Sequence, residues 1–102
     1  MTDRADRIAA TLTARFAPTF LRVTDDSARH AGHAGAAPGG QTHYTVQMVS
    51  AAFEGMPRLA RSRAVHAALA TEFAGGLHAL ALTLRTPAEQ AAQSAAARSS
   101  PV

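Results

Sequence analysis

The stretch Gly75-Gly76-Leu77-His78-Ala79-Leu80-Ala81-Leu82-Thr83-Leu84-Arg85 contains the clearest strand of the chain. In it His78 and the three leucines that follow share one phase, and small or polar residues occupy the other, which is the period-two pattern of a half-buried strand. The two glycines end a predicted helix over residues 58–74. A strand that follows a helical crossover is favoured to run parallel to the strand before the helix.

The strand before that helix is predicted over residues 42–50, where Tyr44, Val46 and Met48 face one way. A strand over residues 19–25 precedes it, and the loop 26–41 should join the two as an antiparallel pair. A helix over residues 3–17, a helical turn near Phe53 and a final helix that Pro87 opens complete the pattern.

The resulting order α-β-β-α-α-β-α predicts an α/β (α+β) domain whose three-stranded mixed sheet is covered by helices. The domain is expected over residues 1–90. Residues 91–102 are rich in alanine and serine and are expected to form a disordered tail.

Composition excludes several classes of protein. The 102 residues contain no cysteine, which excludes disulfides, a thiol nucleophile and any cysteine-ligated metal site built by this chain alone. No run of about 18 apolar residues is present, and the N-terminus lacks the apolar segment of a secretory signal, so a cytoplasmic protein without membrane contact is expected. No nucleophile, base and orienting residue can be combined, so the chain is not expected to be an enzyme.

The histidines are the candidate ligands. His30 and His33 lie in the glycine- and alanine-rich loop, and His78 begins the last strand. If that strand is parallel to the second, its start lies at the sheet edge where the loop joins the second strand. Imidazole is the commonest protein metal ligand, but two histidines cannot close a four-coordinate site, so a partner, a homodimer or an open site is implied. His43 and His66 are interpreted as structural.

Arg58, Arg61 and Arg63 crowd the first turns of the predicted long helix. Cations there oppose the helix dipole, which suggests an anionic partner, although solvated charge is the simpler interpretation. The net charge of +3 is too small to indicate a nucleic-acid binder by itself.

Several spaced motifs resemble those of the BolA family, over about residues 7–89. In chain order they are Asp25-Asp26-Ser27-Ala28-Arg29-His30, Gly40-Gln41-Thr42-His43-Tyr44, Val49-Ser50-Ala51-Ala52-Phe53-Glu54-Gly55, Val65-His66-Ala67-Ala68-Leu69, and Leu77-His78-Ala79-Leu80-Ala81-Leu82 followed by Thr86-Pro87. The resemblance implies a class II KH-like fold, in agreement with the predicted order of elements.

The resemblance also implies a monothiol glutaredoxin as partner and a 2Fe-2S cluster shared with it. In such heterodimers the cluster is held by the glutaredoxin cysteine, a glutathione thiolate and two BolA ligands. One ligand here would be His78. The other comes from the loop and is a histidine or a cysteine by subtype; without cysteine this chain resembles the histidine-loop subtype, with His30 as the best match and His33 as the alternative. Iron–sulfur cluster assembly, transfer or iron sensing is the implied role, since histidine ligation raises the cluster potential and can be broken by protonation.

The isolated chain is expected to hold no cluster stably and to be a monomer or a weak homodimer. The alternative function is a DNA-binding transcriptional regulator that uses the KH-like fold, with Arg58, Arg61 and Arg63 on the phosphates. Gly55-Met56-Pro57-Arg58 is not the Gly-X-X-Gly clamp of KH domains. The chain departs from the family at Ser62, where a histidine is frequent, and at Gln90, near the place of a common tryptophan.

Overall fold

The computed structural model describes residues 3–27 and 42–99. Its elements, in chain order, are α1 (Arg4–Phe16), β1 (Phe20–Asp25), β2 (His43–Val49), a 3-10 helix (Ala51–Phe53), α2 (Arg58–Ala68), α3 (Ala70–Ala74), β3 (Ala79–Arg85) and α4 (Pro87–Ser99). His30 and His33 lie outside the described residues.

The three strands form one mixed sheet in the order β1-β2-β3. β1 and β2 are antiparallel, with Val23 opposite Val46. β2 and β3 are parallel, with His43 opposite Ala79. The mixed sheet and the parallel direction of its last strand are therefore as predicted, and they place the start of β3 beside the start of β2.

The core lies between one face of the sheet and the helices. Tyr44, Val46 and Met48 of β2 are buried there, as their alternation predicts, against Ile8 and Leu12 of α1. Val65 and Leu69 extend the same cluster. On the opposite face of the sheet Thr24, Gln47 and Ala81 are exposed.

The ends of α1 follow from local chemistry. Asp3 is its N-cap, because the carboxylate accepts a 2.9 Å hydrogen bond from the Asp6 amide. At the other end Ala17 adopts a left-handed conformation with φ 43°, and the helix stops before Pro18.

A capping box begins α4. The Glu89 amide donates to Thr86 Oγ1 over 3.1 Å, and the Glu89 carboxylate accepts from the Thr86 amide over 2.8 Å. The helix then runs to Ser99, so residues 91–99, which the sequence was expected to leave in a disordered tail, are helical. Alanine has the highest helix propensity, and this segment is rich in it.

The predicted helix 58–74 differs from the observed one in continuity and in orientation. Leu69, with φ −102° and ψ 16°, separates α2 from α3. Apolar spacing along residues 58–74 predicts a buried stripe that includes Ser62, Val65 and His66. The buried residues of α2 are instead Arg61 and Val65. His66 is exposed, and its ring stacks on Phe73 with a centroid separation of 5.1 Å. No helix of the described residues is long and apolar enough to cross a membrane.

Candidate functional site

His78 occupies a fixed position immediately before β3. Its side chain is exposed, while its neighbour Leu77 is buried in the core. The His78 amide donates a 2.7 Å hydrogen bond to the Thr42 carbonyl, and the Ala79 amide donates to the same oxygen over 3.0 Å. The backbone at His78 is thus bound to the residue that precedes β2.

The glycine turn before His78 is held by α1. Arg4 Nη2 donates to the Gly75 carbonyl over 2.7 Å, while Arg4 Nε contacts the Glu72 carboxylate at 3.0 Å. Gly76 has a φ of 120°, a conformation that residues with a Cβ rarely adopt. The Leu77 amide then donates to the Glu72 carbonyl over 2.9 Å, so the direction in which the chain reaches His78 is fixed on both sides of the turn.

Ser27 joins the two ends of the segment 28–41. Its buried hydroxyl oxygen accepts hydrogen bonds from the amides of Thr42 (2.9 Å) and His43 (3.1 Å). The Ser27 amide in turn donates to the Asp25 carboxylate over 2.8 Å, which is the local bonding of an Asx turn. The chain therefore leaves the sheet and returns to it at one point, and that point is next to His78.

This arrangement bears on both loop histidines. His30 and His33 belong to the segment between Ser27 and Thr42. Those two flanking residues are hydrogen-bonded to each other, and Thr42 is bonded to His78. Which of the two histidines is a ligand stays a prediction.

His43 is a residue of the site that sequence reasoning interpreted as structural. Its ring lies edge to face with the His78 ring, with the centroids 5.3 Å apart, and its Nδ1 is 2.9 Å from Thr42 Oγ1. The parallel register, which sets His43 opposite Ala79, brings the two rings together. The signal available in the sequence was that both histidines begin neighbouring parallel strands.

A shallow cavity of about 230 Å³ adjoins His43. It is lined by Asp26, His43, Tyr44, Thr45, Ala79, Leu80 and Ala81. The Asp26 carboxylate accepts a hydrogen bond from the Thr45 hydroxyl, and the Asp26 amide donates to the His43 carbonyl over 2.8 Å. Burial raises the pKa of Tyr44 to about 12, so its phenol stays protonated and is neither a base nor an anionic ligand.

The donor set is incomplete for a metal ion. Within residues 3–27 and 42–99, no group of three or more histidine, aspartate or glutamate side chains is placed to hold one. The two imidazoles of His43 and His78 meet at one end of the sheet, and further ligands would have to come from elsewhere.

Arg61 is not available to a nucleic acid. Its side chain is only 7 % exposed and forms an ion pair with Glu89, with Nη1 and Nη2 at 2.6 and 3.1 Å from the two carboxylate oxygens. Arg61 also donates to the carbonyls of Met56 (2.9 Å) and Leu84 (3.2 Å). This arginine therefore joins α2, β3 and α4, while Arg58 and Arg63 are exposed.

Comparison with known proteins gives consistent relationships. The family described as BolA-like protein matches residues 12–89. BolA-like protein 1 of Homo sapiens is 44 % identical over 82 residues, which are 80 % of this chain and 57 % of the human protein. The chain spans about half the length of the BolA-like protein 1 relatives that it matches.

Solved structures agree with this relationship. The BolA domain of SufE1 from Arabidopsis thaliana superposes with a TM-score of 0.79 at 38 % identity, covering 87 % of this chain and 98 % of that one. BolA1 from the same plant gives 0.78 at 40 % identity, covering 87 % and 97 %. Together with the mixed sheet and the order of helices and strands, these similarities show that the chain belongs to the BolA family.

Proposed function

We propose that this chain is the partner of a monothiol glutaredoxin and shares a glutathione-dependent 2Fe-2S cluster with it, for iron–sulfur cluster assembly, transfer or iron sensing. The role is one of binding and delivery and not of catalysis. One observation carries the proposal: an exposed histidine, His78, is fixed at the point where the segment 28–41 leaves the sheet and returns.

The residues present suit half of such a site. His78 would supply one ligand, and His30, or alternatively His33, would supply the other. The glutaredoxin cysteine and the glutathione thiolate would complete the coordination. Imidazole ligands raise the reduction potential of a 2Fe-2S cluster relative to four thiolates, which is the chemistry that a bound cluster would contribute here.

The chain's own structure contributes the orientation of His78. The hydrogen bonds from His78 and Ala79 to Thr42 fix the backbone, and the His43 ring restricts the space that the His78 ring can occupy. A ligand whose orientation is set before binding loses less conformational entropy on binding.

The relatives support a role in iron–sulfur biology at the level of the family, because a BolA domain occurs within SufE1 of Arabidopsis thaliana. They do not define the compartment. The relatives in that plant are named as chloroplastic, or as chloroplastic and mitochondrial, so the cytoplasmic location stays a prediction for this chain.

The test is anaerobic reconstitution of the full chain with a monothiol glutaredoxin, glutathione, iron and sulfide. The expected product is a heterodimer with the visible absorbance and circular dichroism of a 2Fe-2S cluster, with its mass confirmed by native mass spectrometry. His78→Ala should abolish the cluster-bearing heterodimer, whereas His66→Ala, at an exposed histidine of α2, should not.

His30→Ala and His33→Ala, made singly and together, identify the loop ligand. A His78→Ala protein that forms the same heterodimer with unchanged spectra and cluster lifetime would show that the assignment of His78 is wrong. Absence of any complex between the wild-type chain and several monothiol glutaredoxins would reject the function itself.

A further inference from the structure

β3 is an edge strand of the sheet. The backbone groups on its outer side are not paired with another strand of the described residues. Ala79 donates to Thr42 and Arg85 accepts from Ser50, so these two residues direct their backbone groups toward β2. Because residues alternate in a parallel pair, Ala81 and Thr83 do the same. The amides and carbonyls of Leu80, Leu82 and Leu84 therefore point away from β2, and no strand of the described residues pairs with them.

Arg61 closes one end of this edge. Its Nη1 donates to the outward carbonyl of Leu84 over 3.2 Å, which confirms the direction in which that group points. Toward the start of β3, no arginine of residues 3–27 and 42–99 donates to the backbone of Leu80 or Leu82 as Arg61 does to Leu84. An exposed row of backbone donors and acceptors is what an added strand requires.

A groove runs beside this edge. Its volume is about 420 Å³, and it is lined by Leu82, Thr83, Leu84 and Arg85 of β3 and by Arg58, Arg61 and Ser62 of α2. Ligand sites of proteins commonly have volumes of about 300–1,000 Å³. The groove follows the second half of β3, away from His78, so it is distinct from the histidine site.

The groove is positively charged. Arg58 is exposed, Arg85 contacts only the neutral amide oxygen of Gln90 (3.3 Å) among its recorded partners, and Arg61 is paired with Glu89. Three arginines thus face a single carboxylate. A second copy of the chain would bring like charges together, whereas an acidic segment would complement them.

We propose that the outer edge of β3 binds an extended, acidic segment of a partner protein as a fourth strand. The amides and carbonyls of Leu80 and Leu82 and the amide of Leu84 would bond to the backbone of this segment, and Arg58 and Arg85 would pair with its carboxylates. The row of backbone groups favours a peptide over a nucleic acid, because a nucleic acid would use the two arginines and leave the strand edge unpaired.

The test uses the full chain labelled with ¹⁵N and a blocked peptide of alternating glutamate and valine as probe. At saturation, hydrogen exchange at the amides of Leu80, Leu82 and Leu84 should slow at least tenfold. Exchange at Ala81 and Thr83 should not change, because those amides already bond to β2. The same peptide with N-methylated backbone amides keeps every charge and should lose binding.

Charge variants provide the second measurement. Arg58→Glu combined with Arg85→Glu should weaken peptide binding at least tenfold, while Arg63→Glu, the same charge change at an exposed position of α2 outside the groove, should have little effect. Equal binding of the N-methylated peptide would overturn the proposal. So would tighter binding of single-stranded DNA at Arg58 and Arg85, or protection of the same leucine amides by self-association without peptide.

Discussion

The imidazole rings of His43 and His78 meet edge to face, with their centroids 5.3 Å apart. Neither ring is in the hydrophobic core, and the contact exists because two parallel strands begin side by side, with His43 opposite Ala79. His43 can therefore influence His78 without being a ligand itself.

A pair of substitutions at His43 separates packing from ligation. His43→Phe keeps a ring against His78 and removes both nitrogens, while His43→Ala removes the ring. If His43 only positions His78, the phenylalanine variant should hold a glutaredoxin-shared cluster about as long as the wild type, and the alanine variant should lose it faster. Equal loss in both variants would instead identify His43 as a ligand. Visible circular dichroism against time measures both.

Ser27→Ala should destabilise the fold. The hydroxyl accepts from the amides of Thr42 and His43, and its removal leaves these donors without that acceptor in a buried place. The expected loss is about 1–3 kcal/mol of unfolding free energy, measured by urea denaturation. Ser94→Ala in α4 is the control and should change stability little. A Ser27→Ala protein as stable as the wild type would mean that the two ends of the segment 28–41 are held by other contacts.

The pair between Arg61 and Glu89 should make stability depend on acid pH. The hydrogen bond from Arg61 lowers the pKa of Glu89 from its usual value near 4.5 to about 2 in the folded protein. Because the folded-state pKa is lowered, the stabilisation is present above about pH 4.5 and is lost as the pH falls toward about 2. Glu89→Gln should flatten the stability profile in that range. Arg61→Met should flatten it only in part, because it removes the larger cause and leaves the hydrogen bond from the Thr86 amide. Thermal denaturation at several pH values measures this.

Tyr44→Phe should maintain or raise stability. The Tyr44 hydroxyl is buried and has no hydrogen-bond partner among the described residues. An unpaired buried hydroxyl costs on the order of 1–3 kcal/mol, so deleting the oxygen while keeping the ring removes a penalty. Tyr44→Ala should by contrast lose about 3–5 kcal/mol, as large core truncations do. A destabilised Tyr44→Phe protein would show that the hydroxyl does have a partner in solution.

Gly76→Ala should be the more damaging of two glycine substitutions. Gly76 (φ 120°) and Gly55 (φ 78°) both have positive φ, but only at Gly76 would the new Cβ meet another group, 3.4 Å from Arg4 Nη2. Strained backbone of this kind costs about 1–3 kcal/mol, so Gly76→Ala should lower the melting temperature further than Gly55→Ala. It should also shorten the lifetime of a shared cluster, because the turn orients His78. Equal effects of the two substitutions would argue against a role for Arg4 in holding the turn.

The sheet could be predicted from the sequence because its determinants are local or topological. The alternation of apolar and polar residues correctly predicted that Tyr44, Val46 and Met48 are buried. The rule for crossover connections correctly predicted that β3 runs parallel to β2. From these two facts it followed that His78 lies near the ends of the segment 28–41.

The burial of Arg61 could not be predicted in the same way. Apolar periodicity predicts that an arginine lies on the surface. Arg61 is buried instead because it pairs with Glu89, which is 28 positions later in the chain. Glu89 is itself held in place by the capping box with Thr86. With Arg61 facing the core, α2 is rotated about its axis relative to the predicted orientation, and His66 is exposed as a result. The contact of His43 with His78 depended on a register that the sequence does not specify to one residue.

Because of the Ser27 hydroxyl, changes within the segment 28–41 can be independent of changes in the sheet. Since this hydroxyl joins the chain at both ends of the segment 28–41, residues can be inserted or exchanged between those ends while the sheet keeps its register, and the entropy of closing a longer loop grows only slowly with length. If the segment 28–41 supplies a cluster ligand, as proposed, a graft of a cysteine-bearing segment between Ser27 and Thr42 would change that ligand without redesign of the sheet. The domain can thus be treated as a constant scaffold that carries an exchangeable segment between Ser27 and Thr42.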